Sequence, residues 1–300
     1  MKKIIIWGCG WLGAKLYKEK IRCNDKYELI GWADNSSSKN KYKIDDKMIY
    51  TLAKLKDLKK LEDFSVIIAS VSWCEIGRQL EDVGIRVEGI YLEQDILPYK
   101  QMKFSDLELH KDIILYAGDI YDEYLLAKEN LYGLSINKGD AKHIFHDITW
   151  AYPLPDESIF AYQAEDVLEH IEYDKVVAAI NEIYRILKKG SVFRISMPDY
   201  NSPLLNSIVM RDDCGNILYD PLGGGNYDET GVINGGHVWF PTYPLVKELL
   251  QKTRFTDIRF GCYYTEKREL IMNDFSDEYG YVKRVRGEKE VFSMVIDCYK

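Results

Sequence analysis

The stretch from residue 158 to residue 200 constrains the fold most, because it contains a strand, a helix and a second strand in succession. Residues 159–163 predict the first strand and residues 192–197 the second. The apolar residues between them repeat at the spacing of one helix face: Val176, Val177, Ile180, Ile183, Tyr184 and Leu187. Asp174 is expected to cap this helix, and Gly190 to end it. Strand, helix and strand in this order predict a right-handed crossover between parallel strands.

Polar side chains follow both strands of this crossover. They are Glu165, Asp166, Glu169 and His170 after the first strand, and Asp199 and Tyr200 after the second. Ligands of such sheets bind outside the carboxyl ends of the strands. We therefore expect the chemistry of this part of the chain at these two strand ends.

A glycine fingerprint lies near the start of the chain. The strand predicted over residues 3–7 runs into Gly8, Gly10 and Gly13, a helix follows, and a second strand over residues 27–33 ends at Asp34. In a dinucleotide-binding turn the glycines permit the tight turn, the approach of phosphate and the packing of helix on strand, and the acid binds a ribose hydroxyl. The same glycines also suit a tight turn that binds nothing.

Residues 1–97 predict a small Rossmann nucleotide-binding domain. Further strands are expected over residues 66–70 and 89–92, with helices over residues 52–60 and 75–83. About four strands are closer to a mononucleotide-binding half than to the six-stranded dinucleotide fold. A nucleotide or a nucleotide-sugar is therefore as good a candidate ligand as NAD.

A linker over residues 98–111 leads to a second domain over residues 112–300. Strands predicted over residues 112–116, 131–136 and 143–146 join the two of the crossover in a five-stranded parallel sheet. A helix over residues 244–252 and strands over residues 257–263 and 291–299 complete it. The glycine-rich stretch from residue 203 to residue 236 is expected to form a lid, a binding loop or a disordered segment. The predicted fold class is α/β, with two Rossmann-like units, the second a doubly wound sheet.

Composition excludes several classes of protein. A formal net charge of -8 argues against binding nucleic acid through a broad basic surface. No stretch approaches the roughly 20 apolar residues of a membrane span. The six cysteines are scattered, with no close pair that would begin a zinc site, and no metal site is predicted. Reduced thiols and a cytoplasmic location are expected.

The first 95 residues resemble the small Rossmann domain at the amino end of enzymes that tailor bacterial surface sugars. The resemblance is carried by IIIWGCGWLGAKLY, YELIGWADNSSSK and FSVIIASVSW. In sugar acetyltransferases with a similar domain, that domain holds the UDP-sugar. The resemblance implies a sugar pathway such as capsule polysaccharide biosynthesis.

Residues 112–300 resemble the class I S-adenosylmethionine-dependent methyltransferases, in particular the type 11 branch. The resemblance is carried by LYGLSIN, HDITWAYPLPDESIFAYQAEDVLEHI and INEIYRILKKGSVFRISMPDY. It implies S-adenosylmethionine as cofactor, with Asp147 beside the adenine and Glu165 at the border of cofactor and substrate. Gly118 and Asp119 stand where the family has an acid followed by several glycines. Asn137 stands where the family has an acid that binds both ribose hydroxyls.

Methyl transfer to a hydroxyl requires positioning and a base. The candidate bases are His170 and His237, and either Asp166 or Asp199 is expected to orient one of them. His170 also suits a helix start at which the backbone satisfies the ring, and Asp166 suits a solvated helix start.

The predicted function is methyl transfer to a hydroxyl or amine of a small-molecule substrate, a sugar or related precursor of a surface polysaccharide. The first domain would bind a nucleotide or the nucleotide-linked sugar. Two alternatives remain open. One is an NAD-dependent oxidoreductase or epimerase-like enzyme, and the other is a non-catalytic binding protein with a degenerate methyltransferase fold.

Overall fold

The computed structural model describes residues 1–36, 43–99, 102–137, 139–273 and 291–300. The chain forms two compact units. The first comprises residues 1–102 and 137–141, and the second comprises residues 103–136 and 142–300. The domain boundaries expected from the sequence, with a linker over residues 98–111, stay a prediction.

The first unit is an α/β sheet with short helices. Its strands are β1 (Lys2–Trp7), β2 (Tyr27–Ala33), β3 (Lys43–Ile44), β4 (Lys47–Tyr50), β5 (Ser65–Ile68), β6 (Arg86–Tyr91) and β7 (Ile96–Leu97). Its helices are α1 (Trp11–Leu16), continued by a π-helical turn (Tyr17–Ile21), α2 (Leu52–Leu58) and α3 (Trp73–Asp82).

The strands of this sheet lie in the order β3-β4-β2-β1-β5-β6-β7. The five central strands are parallel, and β3 and β7 pair antiparallel at the edges. Counted along the chain, the parallel strands have the order 3-2-1-4-5, which is the doubly wound order without its sixth strand. The prediction of about four strands missed β4, because four residues with an exposed Met48 carry no clear apolar run.

The side chains at the centre of this sheet are buried. Ile4 to Trp7 of β1 are all buried, as expected for a parallel strand covered on both faces. Trp32 and Leu16 pack in the same core. The carboxyl end of β1, where the glycine turn begins, is therefore held by a fully packed strand.

The second unit contains a larger mixed sheet. The strands of this unit are β8 (Ile114–Ala117), β9 (Leu131–Ser135), β10 (His143–Phe145), β11 (Ile159–Glu165), β12 (Leu187–Pro198), β13 (Met210–Arg211), β14 (Ile217–Tyr219), β15 (Asn226–Asp228), β16 (Gly231–Ile233), β17 (Asp257–Tyr264), β18 (Leu270–Met272) and β19 (Ser293–Tyr299). All of them except β13 to β16 belong to the larger sheet. The helices of this unit are α4 (Glu123–Leu126), α5 (Tyr173–Ile186), α6 (Pro203–Ile208) and α7 (Tyr243–Gln251), and 3-10 turns lie at Phe104–Leu109 and Leu168–His170.

The eight strands of this sheet lie in the order β10-β9-β8-β11-β12-β19-β17-β18. The five strands from β10 to β12 are parallel, as predicted, while β19 is antiparallel to both of its neighbours. Numbered along the chain without the short edge strand β18, the order is 3-2-1-4-5-7-6. This is the doubly wound order with one reversed strand added, and it fits the class I methyltransferase-like fold. The strand order reverses between β8 and β11.

The crossover differs from its prediction at both helix ends. Helix α5 ends at Ile186 and β12 begins at once, so the strand starts earlier than expected. Gly190, with φ +77°, lies inside β12 where the register with β11 shifts, so it relieves a bulge and does not end the helix. Glu172 occupies the cap position, and Asp174 lies in the first turn.

The stretch from residue 203 to residue 236 contains regular structure. It forms α6 and two short hairpins, β13–β14 and β15–β16. Ser202 caps α6 by accepting a hydrogen bond from the Leu205 N–H. The stretch is therefore not a structureless loop, and its closing over a ligand stays a prediction. Among the described helices of the chain, none has the length and apolar character needed to cross a membrane.

Candidate functional site

The glycine turn of the first unit is tight at both ends and open in the middle. Gly8 has φ +121°, and a Cβ added there would lie 2.2 Å from the carbonyl oxygen of Ala69. A Cβ added at Gly13 would lie 1.8 Å from the Gly8 oxygen, whereas one at Gly10 would have no neighbour within 4 Å. Gly8 and Gly13 thus serve packing, and the backbone at Gly10 is free for close approach by a ligand.

Asp34 is held at this turn. One carboxylate oxygen accepts a hydrogen bond from the Cys9 N–H at 3.2 Å, and the other accepts from the Ser36 N–H at 2.9 Å. The structure therefore brings together all four residues that the sequence placed in a nucleotide site: Gly8, Gly10, Gly13 and Asp34. Whether a nucleotide binds there stays a prediction.

In the second unit, Gly118 follows β8 and Glu165 is the last residue of β11, the two strands at which the strand order reverses. Gly118 has φ +97°, and an added Cβ would meet nothing nearer than a Val167 methyl group at 3.7 Å. Glu165 accepts a hydrogen bond from the Tyr116 hydroxyl at 3.3 Å. An open backbone thus lies at the position where ligands of doubly wound sheets bind.

The turn after β8 is supported by a buried histidine that the sequence did not indicate. The Ile120 N–H donates to Nε2 of His143 at 3.0 Å. Gly133 leaves room for this ring, since an added Cβ would lie 2.4 Å from it. Asp119, in the same turn, accepts a hydrogen bond from the Tyr121 hydroxyl at 2.9 Å. His143 therefore shapes the turn that carries Gly118.

The remaining predicted cofactor residues lie after neighbouring strands. Asp147 follows β10, and one of its carboxylate oxygens accepts hydrogen bonds from the N–H and hydroxyl of Thr149. Because parallel strands end at the same edge, Gly118, Asp119, Asp147 and Glu165 share one edge of the sheet. Asn137 falls in the segment 137–141, which groups with the first unit.

A cluster of Glu169, His170 and His237 lies close to this edge. Glu169 and His237 are buried, and His170 is exposed. Nε2 of His237 is 3.7 Å from a carboxylate oxygen of Glu169, and the two imidazole ring centres are 4.7 Å apart. One ligating atom from each of the three residues lies within 4.8 Å of the other two, which is compact enough to hold a metal ion.

Two hydrogen bonds fasten the chain around His237 to the 3-10 turn at Leu168–His170. The Val238 N–H donates to the carbonyl oxygen of Glu169 at 2.9 Å. The indole N–H of Trp239 donates to the carbonyl oxygen of Leu168, also at 2.9 Å. The segments that carry the two histidines are therefore joined by one backbone hydrogen bond and one from the Trp239 side chain.

Both imidazoles turn Nδ1 towards a hydrogen-bond partner. Nδ1 of His237 is 2.5 Å from the Tyr200 hydroxyl, which donates to Asp220 at 2.6 Å. Nδ1 of His170 is 2.8 Å from the carbonyl oxygen of Gly235. Gly223 packs on the His237 ring, since a Cβ added at this glycine would lie 2.6 Å from Nδ1 of His237.

The acids beside these rings were only partly predicted. Asp220, and not Asp199, lies beside His237, with 3.5 Å between a carboxylate oxygen and Nδ1. Asp199 instead accepts backbone hydrogen bonds from Asn201 and Tyr264, and burial raises its pKa to about 6. Asp166, with φ +51°, ends β11, and its N–H donates to the carbonyl oxygen of Ser196. Its role as an orienting acid stays a prediction.

The surroundings shift two pKa values in the cluster. Partial burial lowers the pKa of His170, and the neighbouring His237 acts in the same direction, against the carbonyls of Gly235 and Gly236. Burial opposes the charged form of Asp220, but hydrogen bonds from His237 and Tyr200 outweigh it and lower the pKa of that carboxyl. The surroundings therefore favour the neutral form of His170 and the ionised form of Asp220.

Comparison with known proteins identifies one family model and several solved structures. The family described as "C2185-like, N-terminal" matches residues 1–91. No curated protein matches the chain. A methyltransferase from Archaeoglobus fulgidus, S-adenosylmethionine dependent, is 17% identical over 62% of this chain and 85% of its own, with a TM-score of 0.39.

Two further solved structures are described as S-adenosylmethionine-dependent methyltransferases. One, from Thermotoga maritima and described as a possible histamine N-methyltransferase, is 17% identical over 65% of this chain and 86% of its own, with a TM-score of 0.40. The other, from Methanosarcina mazei, is 13% identical over 67% of this chain and 99% of its own, with a TM-score of 0.40. All three are distant likenesses.

Proposed function

We propose that the chain is an S-adenosylmethionine-dependent methyltransferase that acts on a hydroxyl or amine of a small molecule. The observation that supports this most is the strand order 3-2-1-4-5-7-6, with an open glycine backbone and polar side chains at the point where the order reverses. The acceptor we favour is a sugar or related precursor of a surface polysaccharide, which rests on the resemblance of the first 95 residues.

Four residues at the edge of the second sheet suit the cofactor. Gly118 lets a ligand approach the backbone, Glu165 and Asp119 offer carboxylates beside that turn, and Asp147 follows the strand at the sheet edge. Carboxylates accept charge-assisted hydrogen bonds from the ribose hydroxyls and the amino groups of the cofactor. When bound, S-adenosylmethionine supplies a methyl group on a positively charged sulfur.

The cluster of Glu169, His170 and His237 would bind the acceptor. It lies after β11, the strand that also carries Glu165, so a molecule held by the histidines would reach the cofactor edge. The buried Tyr200 contacts His237, and the buried Trp239 holds the turn that carries Glu169 and His170, so both rings keep the cluster in place. Methyl transfer depends mainly on such positioning, with removal of a proton when the acceptor is a hydroxyl.

The first unit would bind a nucleotide or the nucleotide part of the acceptor. The open backbone at Gly10 suits a phosphate, and the Asp34 carboxylate suits a ribose hydroxyl. NAD has the same two groups, so an oxidoreductase or epimerase-like activity is the competing proposal for this unit. The identity of the ligand that binds separates them.

The first experiment is a thermal unfolding series with S-adenosylhomocysteine, NAD, NADP and UDP-sugars added separately. A ligand at 100 times its Kd adds about 2.7 kcal/mol to the free energy of unfolding. We expect S-adenosylhomocysteine to stabilise the chain, and Glu165→Gln or Asp147→Asn to reduce that effect, with the exposed Glu172→Gln as control. A response to NAD without one to S-adenosylhomocysteine would overturn the proposal, and no response to millimolar cofactor would favour a non-catalytic binding protein.

A further inference from the structure

We propose that Glu169, His170 and His237 form a binding site for a divalent transition-metal ion. The ligands would be a carboxylate oxygen of Glu169 and the Nε2 atoms of the two histidines. The sequence predicted no metal site, and a methyltransferase does not need one, so this site goes beyond the proposed function. Its basis is the hydrogen-bond chemistry on both sides of the two rings.

The hydrogen bonds of Tyr200 place the proton of a neutral His237 ring on Nδ1. Tyr200 has one hydroxyl proton, and it donates that proton to Asp220 at 2.6 Å. Its contact of 2.5 Å with Nδ1 of His237 must then use a proton that the imidazole carries. In the neutral ring, Nε2 therefore bears the lone pair, and it points at the carboxylate of Glu169 from 3.7 Å.

Two acceptors that face each other in a buried site need a positive charge between them. Glu169 has no exposed surface, and His237 has 7%. Burial of opposed lone pairs is costly unless a cation or a proton joins them. A metal ion bound by both atoms removes the repulsion and uses the tautomer that Tyr200 and Asp220 select.

His170 has the same arrangement. A carbonyl oxygen only accepts, so the contact of 2.8 Å with Gly235 requires the proton of His170 on Nδ1. Its Nε2 is then the lone-pair atom as well. Histidine ligands of metals ordinarily donate the other ring N–H to a carboxylate, a carbonyl or another acceptor, which fixes ring and tautomer. Both histidines of this cluster have such a partner.

The distances require only a small closure. Bonds of about 2.1 Å place neighbouring ligand atoms about 3.0 Å apart around an octahedral ion and about 3.4 Å apart around a tetrahedral one. The atoms of Glu169 and His237 are 3.7 Å apart, and one ligand atom from each of the three residues lies within 4.8 Å of the other two. The side chains of Glu169 and His170 provide this movement, because the backbone around His237 is held by hydrogen bonds to residues 168 and 169.

The donor set indicates which ions fit. Two imidazoles and one carboxylate suit Mn²⁺, Fe²⁺, Co²⁺ or Zn²⁺ better than Mg²⁺ or Ca²⁺, which prefer oxygen ligands throughout. Three protein ligands leave positions open for other molecules. The exposed His170 lies on the side from which the ion and a further ligand enter.

The role of the ion rests on the proposed function. An open position would bind an oxygen of the acceptor and hold it beside the cofactor edge, and a metal lowers the pKa of such a bound hydroxyl. The acceptor class would then be a molecule with two adjacent oxygens, such as vicinal hydroxyls, which occupies two positions at once. The histidines would act as ligands, and the proton released by the bound hydroxyl would pass to water at the exposed side of the site.

The test is metal binding by the full chain, stripped with EDTA and dialysed. Mn²⁺, Co²⁺ and Zn²⁺ are titrated separately by calorimetry, and the Co²⁺ complex is also followed by visible absorption. We expect about one ion per chain and at least tenfold weaker binding in Glu169→Gln, His170→Ala and His237→Ala. The matched controls, exposed Glu172→Gln and His110→Ala, should stay within about twofold of the wild type.

The calorimetric titrations decide whether the cluster binds a metal ion. No binding at millimolar metal, or equal binding by the wild type and Glu169→Gln, overturns the site and leaves a shared proton between Glu169 and His237. Far-UV circular dichroism of the metal-free variants excludes loss of the fold, and His170→Ala tests the site at an exposed residue.

The metal site and the methyltransferase proposal fail separately. Stoichiometric metal binding without any response to S-adenosylhomocysteine supports the site and overturns the enzyme. Methyl transfer by a chain that binds no metal at millimolar concentration supports the enzyme and overturns the site.

Discussion

The Tyr200 hydroxyl lies 2.5 Å from Nδ1 of His237 and donates its hydrogen bond to Asp220. Tyr200 follows β12, whereas His237 comes from the segment after the second hairpin, so this contact joins two distant parts of the second unit. Burial and the neighbouring Asp220 both raise the pKa of Tyr200, so the hydroxyl stays protonated at neutral pH. The tautomer of His237 is therefore set from outside the cluster.

Tyr200→Phe should release His237 from this control. Loss of a hydrogen-bond partner behind a ligating histidine costs roughly 10- to 100-fold in metal affinity, and we expect that range for Mn²⁺ or Co²⁺ measured by calorimetry. The free energy of unfolding should fall by about 1–3 kcal/mol, since Asp220 keeps its burial without the hydroxyl. Tyr243→Phe, which removes a hydroxyl from another tyrosine of the second unit, serves as control. Unchanged metal affinity in Tyr200→Phe would show that the hydroxyl does not orient His237.

Substitutions at two glycines of the first unit's turn distinguish a role in packing from a role in ligand binding. Gly10→Ala adds a methyl group in open space, so the free energy of unfolding should stay within about 0.5 kcal/mol of the wild type. Gly13→Ala forces a methyl group to 1.8 Å from the Gly8 oxygen, and we expect a marked loss of stability. If a nucleotide binds this turn, Gly10→Ala should weaken it by at least tenfold in a titration with UDP-sugar or NAD. Full affinity in a folded Gly10→Ala would place the ligand elsewhere.

The sequence predicted the strands and helices that carry long apolar patterns. The five parallel strands of the second sheet and helix α5 follow from such patterns, because buried positions repeat regularly over at least several residues. Short edge strands such as β3 and β7 have two residues each and little buried surface, so no pattern marks them. Gly190 was misplaced because a glycine after a helix suits either its end or a bulge in the next strand.

The candidate site was predicted residue by residue but not as a cluster. Glu169 and His170 are adjacent in the chain, and a neighbouring acid and histidine at a strand end was the signal available for a metal site. His237 is far from them in sequence, and tertiary hydrogen bonds of Gly235, Val238 and Trp239 hold its segment beside them. Asp220 lies in the stretch between two hairpins, where no periodicity exists. Its role depends on tertiary packing alone.

Arg194 and Asp297 form a buried pair between β12 and β19. The guanidinium donates two hydrogen bonds of 2.7 Å to the two carboxylate oxygens, and neither residue is more than 4% exposed. Removal of one partner leaves a buried charge, so Arg194→Met should lower the free energy of unfolding by about 3–5 kcal/mol. The double variant Arg194→Met with Asp297→Leu should lose less than the sum of the single variants.

The control for this prediction lies on β17. Arg259 and Asp257 make a similar two-bonded pair, but both side chains are largely exposed. Arg259→Met should therefore change the free energy of unfolding by at most about 1 kcal/mol. Urea denaturation of both series provides the measurement. Equal losses at the buried and exposed pairs would contradict the assignment of the cost to the buried charge.

His146 should make the stability of the second unit depend on pH. It is buried against Phe104 and Tyr152, and burial lowers its pKa to about 4, from an ordinary value near 6.5. Between these two values the unfolded chain binds a proton that the folded chain does not bind. The contribution of His146 is therefore complete above about pH 6.5 and is lost as the pH falls towards 4, by about 3 kcal/mol in all.

The measurement compares urea unfolding of the wild type and His146→Phe from pH 4 to pH 7. The difference is needed because Asp199, whose pKa is raised to about 6, contributes in the opposite direction and loses stability as the pH rises. Subtraction of the two curves removes the Asp199 contribution, which is the same in both proteins. His110→Phe, at an exposed histidine, should follow the wild type. A difference curve without slope between pH 4 and pH 6.5 would show that His146 takes up its proton as readily in the folded chain as in the unfolded one.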